Sequence, residues 1–181
     1  LDALHGISVY PGEEGERIET NDEPVQQIYP ELFRYCFPEV VITLRNSRPW
    51  IERRAVNYAA VFGFRYEMEV RYEADRQDVL ANRHQQEALY ARKITELRKR
   101  HWNLMGTGQF VDTQPLEQKN PAIIAKGYEN GNQLAVVLWN DSSEEQTLAL
   151  TVPGWTLEET DTENGPVSGI PAKMAPQQLL V

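Results

Sequence analysis

The 181-residue chain carries 27 Asp and Glu against 18 Lys and Arg, a formal charge of −9, and 41 % of its residues are hydrophobic. That apolar share suffices for the core of one domain or two small ones, and no apolar run approaches the roughly 20 residues that span a bilayer. The acidic balance argues against nucleic acid as a partner, since binding phosphates demands clustered Lys and Arg, and the single cysteine, Cys36, excludes an internal disulfide and a cysteine-based zinc knuckle.

The chain opens Leu1-Asp2-Ala3-Leu4-His5, without an initiator Met or a charged-then-apolar leader, so a truncated or processed N-terminus is expected. Ile7 to Tyr10 is a short strand candidate that ends at Pro11-Gly12. An acidic loop follows to Glu23, of the length that usually serves function or mobility. From Pro24 to Phe37, Val25, Ile28, Leu32, Tyr35 and Cys36 recur at helical spacing, with Pro30 expected to bend or interrupt the helix. Cys36, among apolar neighbours, is expected to pack in the core.

Val40-Val41-Ile42-Thr43-Leu44 has no polar alternation, the pattern of a strand buried on both faces in a helix-covered parallel sheet. A helix is expected over Glu52–Phe62, from Ala55, Tyr58, Ala59 and Phe62, stopping at Gly63. Phe64 to Tyr72 alternates apolar and charged residues with the period of a strand. Its Arg65, Glu67, Glu69 and Arg71 share one face, as a polar barrel layer or a salt-bridged strand. The longest helix spans about Asp78 to Met105, with Tyr90, Ile94, Leu97, His101 and Leu104 along one side. His84 lies in its polar stretch and is expected to be solvated, whereas His101 is expected to be partly buried as a packing or capping residue.

Charge and pattern both change near Gly106-Thr107-Gly108. Residues 79–106 hold six bases and two acids, and residues 107–181 hold ten acids and three bases. A domain boundary is placed there, giving domains 1–106 and 107–181. The second half is all-β in pattern. Ala122–Tyr128 and Gln133–Asn140 flank an Asn-Gly hairpin signal, and Thr147–Val152, Thr156–Thr160 and Gln178–Val181 are further short strands of a small antiparallel sandwich. Trp139 ends a very apolar strand and is expected in the core. Trp155 follows Pro153-Gly154 and is a candidate for exposure. Asp141 to Glu145 reads as a solvated hairpin tip, with calcium binding only a weak alternative.

Catalytic signatures are sparse. No Gly-x-Gly-x-x-Gly, Walker loop, Gly-x-Ser-x-Gly elbow or His-x-x-x-His occurs, so nucleotide, serine-hydrolase and zinc-hydrolase chemistry each lack their diagnostic residues. No cofactor and no metal site is nominated, and the catalytic residues stay unassigned. Arg45 and Asn46 directly follow the buried strand, where substrate-binding side chains sit in β/α barrels. Trp50 is close enough to wall a sugar ring. His5 and Asp2 lie together before the first strand candidate. These five are the candidate substrate-binding residues, against the plainer alternative of turn and packing roles.

The run Phe33-Arg34-Tyr35-Cys36-Phe37-Pro38-Glu39-Val40-Val41-Ile42-Thr43 resembles a late strand of bacterial TIM-barrel glycoside hydrolases of the α-galactosidase- and α-amylase-like kind. Asn57 to Arg65, the long helix, Gly108 to Thr113, Leu134 to Asn140 and Leu148 to Gly154 extend that resemblance over nearly the whole chain. It implies a partial (β/α) barrel segment, the sixth to eighth units, followed by an antiparallel β-sandwich accessory domain. It further implies a carbohydrate substrate, a periplasmic or secreted setting, and hydrolysis of a glycosidic bond by the intact enzyme. The nucleophile of such enzymes comes from earlier strands, so the isolated chain is expected to lack it. It is expected to associate with the missing N-terminal barrel portion or with itself. A non-catalytic carbohydrate- or protein-binding module is the alternative, and an independent α+β fold a third possibility, which antiparallel pairing of the two first-half strands would indicate.

Overall fold

In the computed structural model, the described residues are 30–46, 51–68 and 85–181. Helix α1 (Pro30–Cys36) precedes strand β1 (Thr43–Asn46), helix α2 (Arg53–Val61), strand β2 (Arg65–Met68) and helix α3 (Gln85–Arg100), and a π-helical turn over Trp102–Gly106 leads into the β region. The strand candidate at Ile7, the acidic loop, His84, and the starts of the first and longest helices lie outside the described residues.

Pro30 opens α1 instead of bending a longer helix, as its fixed φ and missing N–H favour at a first helical position. Cys36 is exposed, which corrects its expected core position. The inward face of this short helix carries Phe33 and the buried Arg34, not the Leu32, Tyr35 and Cys36 of the apolar pattern. The Arg34 guanidinium donates to the carbonyl oxygens of Pro38 and Val40, so it fastens the turn before β1.

β1 and β2 pair in parallel, with Thr43 opposite Arg65 and Asn46 opposite Met68, and α2 forms the crossover between them. Ile42, Thr43 and Leu44 are buried, but Val40 is half-buried, Val41 is exposed and the strand begins only at Thr43, so the expected strand Val40–Leu44, buried on both faces, holds for its last three residues alone. The end of α2 is tightly held. Gly63 takes φ +68°, and a Cβ there would come 2.8 Å from the Tyr128 hydroxyl. That hydroxyl donates to Val61 O at 2.6 Å, and Arg98 of α3 donates to Phe64 O at 2.5 Å and Gly63 O at 2.9 Å. Helix-end carbonyls are thus satisfied from two other elements. Burial raises the pKa of Tyr128 above that of an ordinary phenol, so it donates at all physiological pH values. Tyr128→Phe is expected to cost about 1–2 kcal/mol, the value of a buried acceptor left unpaired, read as a lowered urea midpoint at constant slope.

The main sheet has six strands in the order β10-β9-β12-β6-β5-β3, comprising Gly165–Val167, Thr160–Thr162, Leu179–Leu180, Gln133–Asn140, Ile123–Asn130 and Gln109–Asp112, all antiparallel. β5 and β6 form the expected hairpin, closing with Asn130 opposite Gln133. Gly131 at the first loop position supplies the φ of +62° that a primed two-residue turn requires.

The period of two sends alternate residues to opposite faces of this sheet. Phe110, Tyr128, Ala135, Val137, Trp139 and Leu179 join α2 and α3 in one core. Ile123, Ala125, Leu138 and Leu180 form a second cluster with Leu148 and Met174 on the far face. The first core draws on residues from both sides of Gly106.

The expected strand Thr147–Val152 is instead split. β7 (Gln146–Thr147) pairs with β11 (Lys173–Met174), and β8 (Leu150–Thr151) pairs with β4 (Glu117–Gln118). The alternation in the sequence is real, but the chain changes partner at the buried Leu148. The result is a fold of mixed helix and antiparallel sheet, mostly sheet, with no helix among the described residues long and apolar enough to cross a membrane.

Candidate functional site

Of the five sequence-derived candidates, Arg45 and Asn46 fall at the C-terminal end of β1 in the β1–β2 pair. Arg45, half-buried, stands opposite the exposed Glu67, and Asn46 is the last residue of β1. Their backbones are the last two residues of the parallel strand β1, rather than the turn that was expected to follow a strand ending at Leu44. The side chain of Asn46 and all of Trp50, His5, Asp2, Glu69 and Arg71 lie outside the described residues. Arg45 and Glu67 are thus brought to one strand end, and the structure adds no placement for Trp50, His5 or Asp2.

A second polar constellation, on the helix-covered face of the main sheet, was not anticipated from the sequence. Asp161, in the centre of β9, is 2 % exposed. Arg100, the last residue of α3, grips its carboxylate with two hydrogen bonds, Nε to Oδ2 at 2.8 Å and Nη2 to Oδ1 at 3.1 Å, and also donates to Thr162 O at 2.8 Å. His101 places Nε2 3.0 Å from Asp161 Oδ2 and Nδ1 3.6 Å from Glu159 Oε1. The Thr162 N–H completes the set at 2.8 Å.

Burial opposes charge on Asp161, yet the hydrogen bonds from Arg100, His101 and Thr162 outweigh it and hold the carboxyl below its ordinary pKa. Both imidazole nitrogens of His101 face carboxylates, which orient the ring. The constellation is a clamp that fastens the end of α3 to β9. Its one sequence signal is the basic last turn of α3, Arg98-Lys99-Arg100; the partner lies about sixty positions away in a strand with no apolar residue.

A third bond network ties the helices to the last turn. Asn57, fully buried, donates to Gln177 O at 2.9 Å and accepts from Tyr90 Oη at 2.6 Å. Burial, partly offset by that bond, pushes the Tyr90 pKa up to about 12.

The acidic run after β6 is organised from within. Buried Asn140 donates to the carbonyls of Glu144, Met174 and Ala175 and accepts from Ser142, while Asp141 takes a two-bond contact from Arg54 at 3.0 Å. Among the described residues no group of three or more His, Cys, Asp or Glu is arranged to hold a metal ion.

Beside the clamp lies a cavity of about 720 Å³ between β6 and the segment that leads into β9. Leu134, Val136, Leu150, Val152, the half-buried Trp155 and Thr160 are among its walls. No protein-family model matches the sequence, and no curated protein matches it either.

Proposed function

We propose that this chain is the C-terminal part of a glycoside-hydrolase-like protein, with β1, α2, β2 and α3 as closing β/α units of a TIM-like barrel and the β region as its accessory sandwich. The observation that carries this reading is the parallel β1–α2–β2 unit followed by α3. Parallel pairs belong to larger sheets covered by helices, and a two-stranded sheet is marginal alone. Here each strand of the pair has only the other as a strand partner among the described residues. Leu32, Phe37 and Val41 beside it are large apolar side chains left exposed, as a surface awaiting further barrel would be.

In this role the chain lines the substrate cleft and does not perform the chemistry. Arg45 and Asn46 stand at a strand end, the position from which barrel side chains reach a substrate, and a guanidinium there binds sugar hydroxyls or orients a carboxylate. A retaining mechanism needs two carboxylates roughly 5–5.5 Å apart, which earlier strands would supply. The isolated chain is therefore expected to hydrolyse no chromogenic glycoside and to self-associate with rising concentration in sedimentation experiments. A monodisperse monomer at high concentration, with β1 and β2 amides fully protected from exchange, would overturn the reading. So would a coding sequence upstream of Leu1 that lacks the roughly 150 in-frame residues a barrel needs. With those residues present, Arg45→Ala is expected to raise KM about tenfold, the value of about 1.4 kcal/mol of binding.

A further inference from the structure

We propose that His101 is a proton-operated fastener for residues 156–159, the strap that leads into β9 and walls the cavity beside the clamp. The neutral imidazole leaves the strap untied, and the charged imidazole ties it to the end of α3.

The tautomer follows from the partners. Asp161 Oδ2 accepts from Arg100 Nε and stands 3.0 Å from His101 Nε2. The Asp161 carboxyl is held below its ordinary pKa, so at neutral pH it only accepts, and Nε2 carries the single ring proton of neutral His101. Nδ1 is then a bare lone pair. It faces Glu159 Oε1 at 3.6 Å, longer than a hydrogen bond, and two acceptors set against each other have no bond to make. A second proton on the ring reverses this. Nδ1 becomes a cationic donor aimed at a carboxylate, and a small movement of the strap brings the pair to the roughly 2.8 Å of a charge-assisted bond.

The strap is the part able to respond. The sequence pattern places a strand at Thr156–Thr160, yet β9 begins only at Thr160, and residues 156–159 are exposed and belong to no helix or strand. Segments with few buried contacts and no ladder open most easily. The period of two places Glu159 on the same side of the chain as Asp161, toward the helices, which is how it comes to meet His101. Glu159 keeps 63 % of its side-chain surface and His101 only 11 %, so the strap supplies the moving partner and the packed ring the fixed one. His101 lines the cavity of about 720 Å³ from the end of α3, and Glu159 lines it from the strap, directly beyond Trp155. Tying the two together fixes one wall of that cavity.

Other charges stand near the ring. Arg100 beside it is spent on Asp161 and Thr162 O, and Glu96 of α3 acts on Arg100. Glu158 of the strap lines the cavity, as does Val181 at the end of β12, whose α-carboxylate is a further negative group in the 181-residue chain. The cavity residues of β6 and of the π-helical turn are uncharged. A variant at Glu159 separates its effect from all of these.

The test is NMR of the native chain and of Glu159→Ala at about pH 8 and about pH 5.5, which bracket the range where histidines ordinarily titrate. In the native chain at the higher pH, the ring ¹⁵N shifts are expected to place the proton on Nε2, with backbone order parameters of Leu157 and Glu158 below about 0.6. At the lower pH those order parameters are expected to rise to about 0.85, in step with protonation of the His101 ring. In Glu159→Ala, whose exposed site leaves folding intact, the ring still takes its proton, but Leu157 and Glu158 stay below about 0.6 at both pH values. A strap equally ordered at both pH values in the native chain would overturn the proposal. So would ordering that survives in Glu159→Ala, or a ring proton on Nδ1 at the higher pH.

Discussion

Asp161→Ala is expected to destabilise the protein by about 3 kcal/mol, the low end of what breaking one partner out of a buried ion pair costs. The carboxylate is almost fully buried while Arg100 keeps 41 % of its side-chain surface, so the arginine regains water and the penalty stays at that low end. What remains is the loss of two guanidinium bonds and the His101 bond, together with a cavity at the centre of β9. Asp141→Ala is the matched comparison. It removes an equally good two-bond contact to arginine, but Arg54 is 63 % and Asp141 18 % exposed, and a pair this open to solvent is worth about 1 kcal/mol or less. Urea midpoints of the two variants at pH 7 separate these outcomes, and equal losses would contradict the clamp.

The pH dependence has a defined sign. The Asp161 carboxyl is held below its ordinary value in the folded state, so the unfolded chain binds the proton more readily. Its contribution is fully present above the unfolded pKa of about 3.9 and is lost as pH falls through the depressed folded value. The stability gap between the native chain and Asp161→Asn should narrow as pH falls below about 5.

How much of this was legible in the sequence depends on whether a residue's role is set by its neighbours in the chain or by distant ones. The β5–β6 hairpin, the buried run at Ile42–Leu44 and the helix at Arg53–Val61 each carry their own signal: a Gly-containing turn, an uninterrupted apolar stretch, a 3.6-residue period. β9 carries none, because Thr160, Asp161 and Thr162 are polar on both faces and are buried by what packs on them. Helix α1 misled for the opposite reason. Its apolar pattern marks Leu32, Tyr35 and Cys36, but in seven residues the inward side is fixed by the turn that Arg34 grips. The Arg100–Asp161–His101 clamp joins residues about sixty positions apart, a distance over which no periodicity speaks. Arg45 and Asn46 were legible as a strand end since position alone defines them, whereas what faces them depends on further elements.

Trp139→Ala is expected to cost about 4 kcal/mol, within the 3–5 kcal/mol typical of deleting a buried Phe or Trp side chain, and it bears directly on what the β region does. A sugar-binding platform needs an aromatic face open to solvent. Trp139 has none: it is fully buried on the helix-facing side of β6, in the core that also holds Val61, Leu97 and Leu179, and its indole N–H reaches Gln177 Oε1 at 3.3 Å. Its removal therefore loosens α2 and α3 from the sheet. Trp155, half-buried at the cavity wall, is in a different position, and Trp155→Ala is expected to change stability by less than about 1 kcal/mol. Denaturation of the two variants distinguishes the roles. A near-neutral Trp139→Ala that also abolished retention on an insoluble polysaccharide would make the β region a carbohydrate-binding module. A large loss at Trp139 with Trp155 near neutral makes Trp139 the residue that joins the helical half to the sheet.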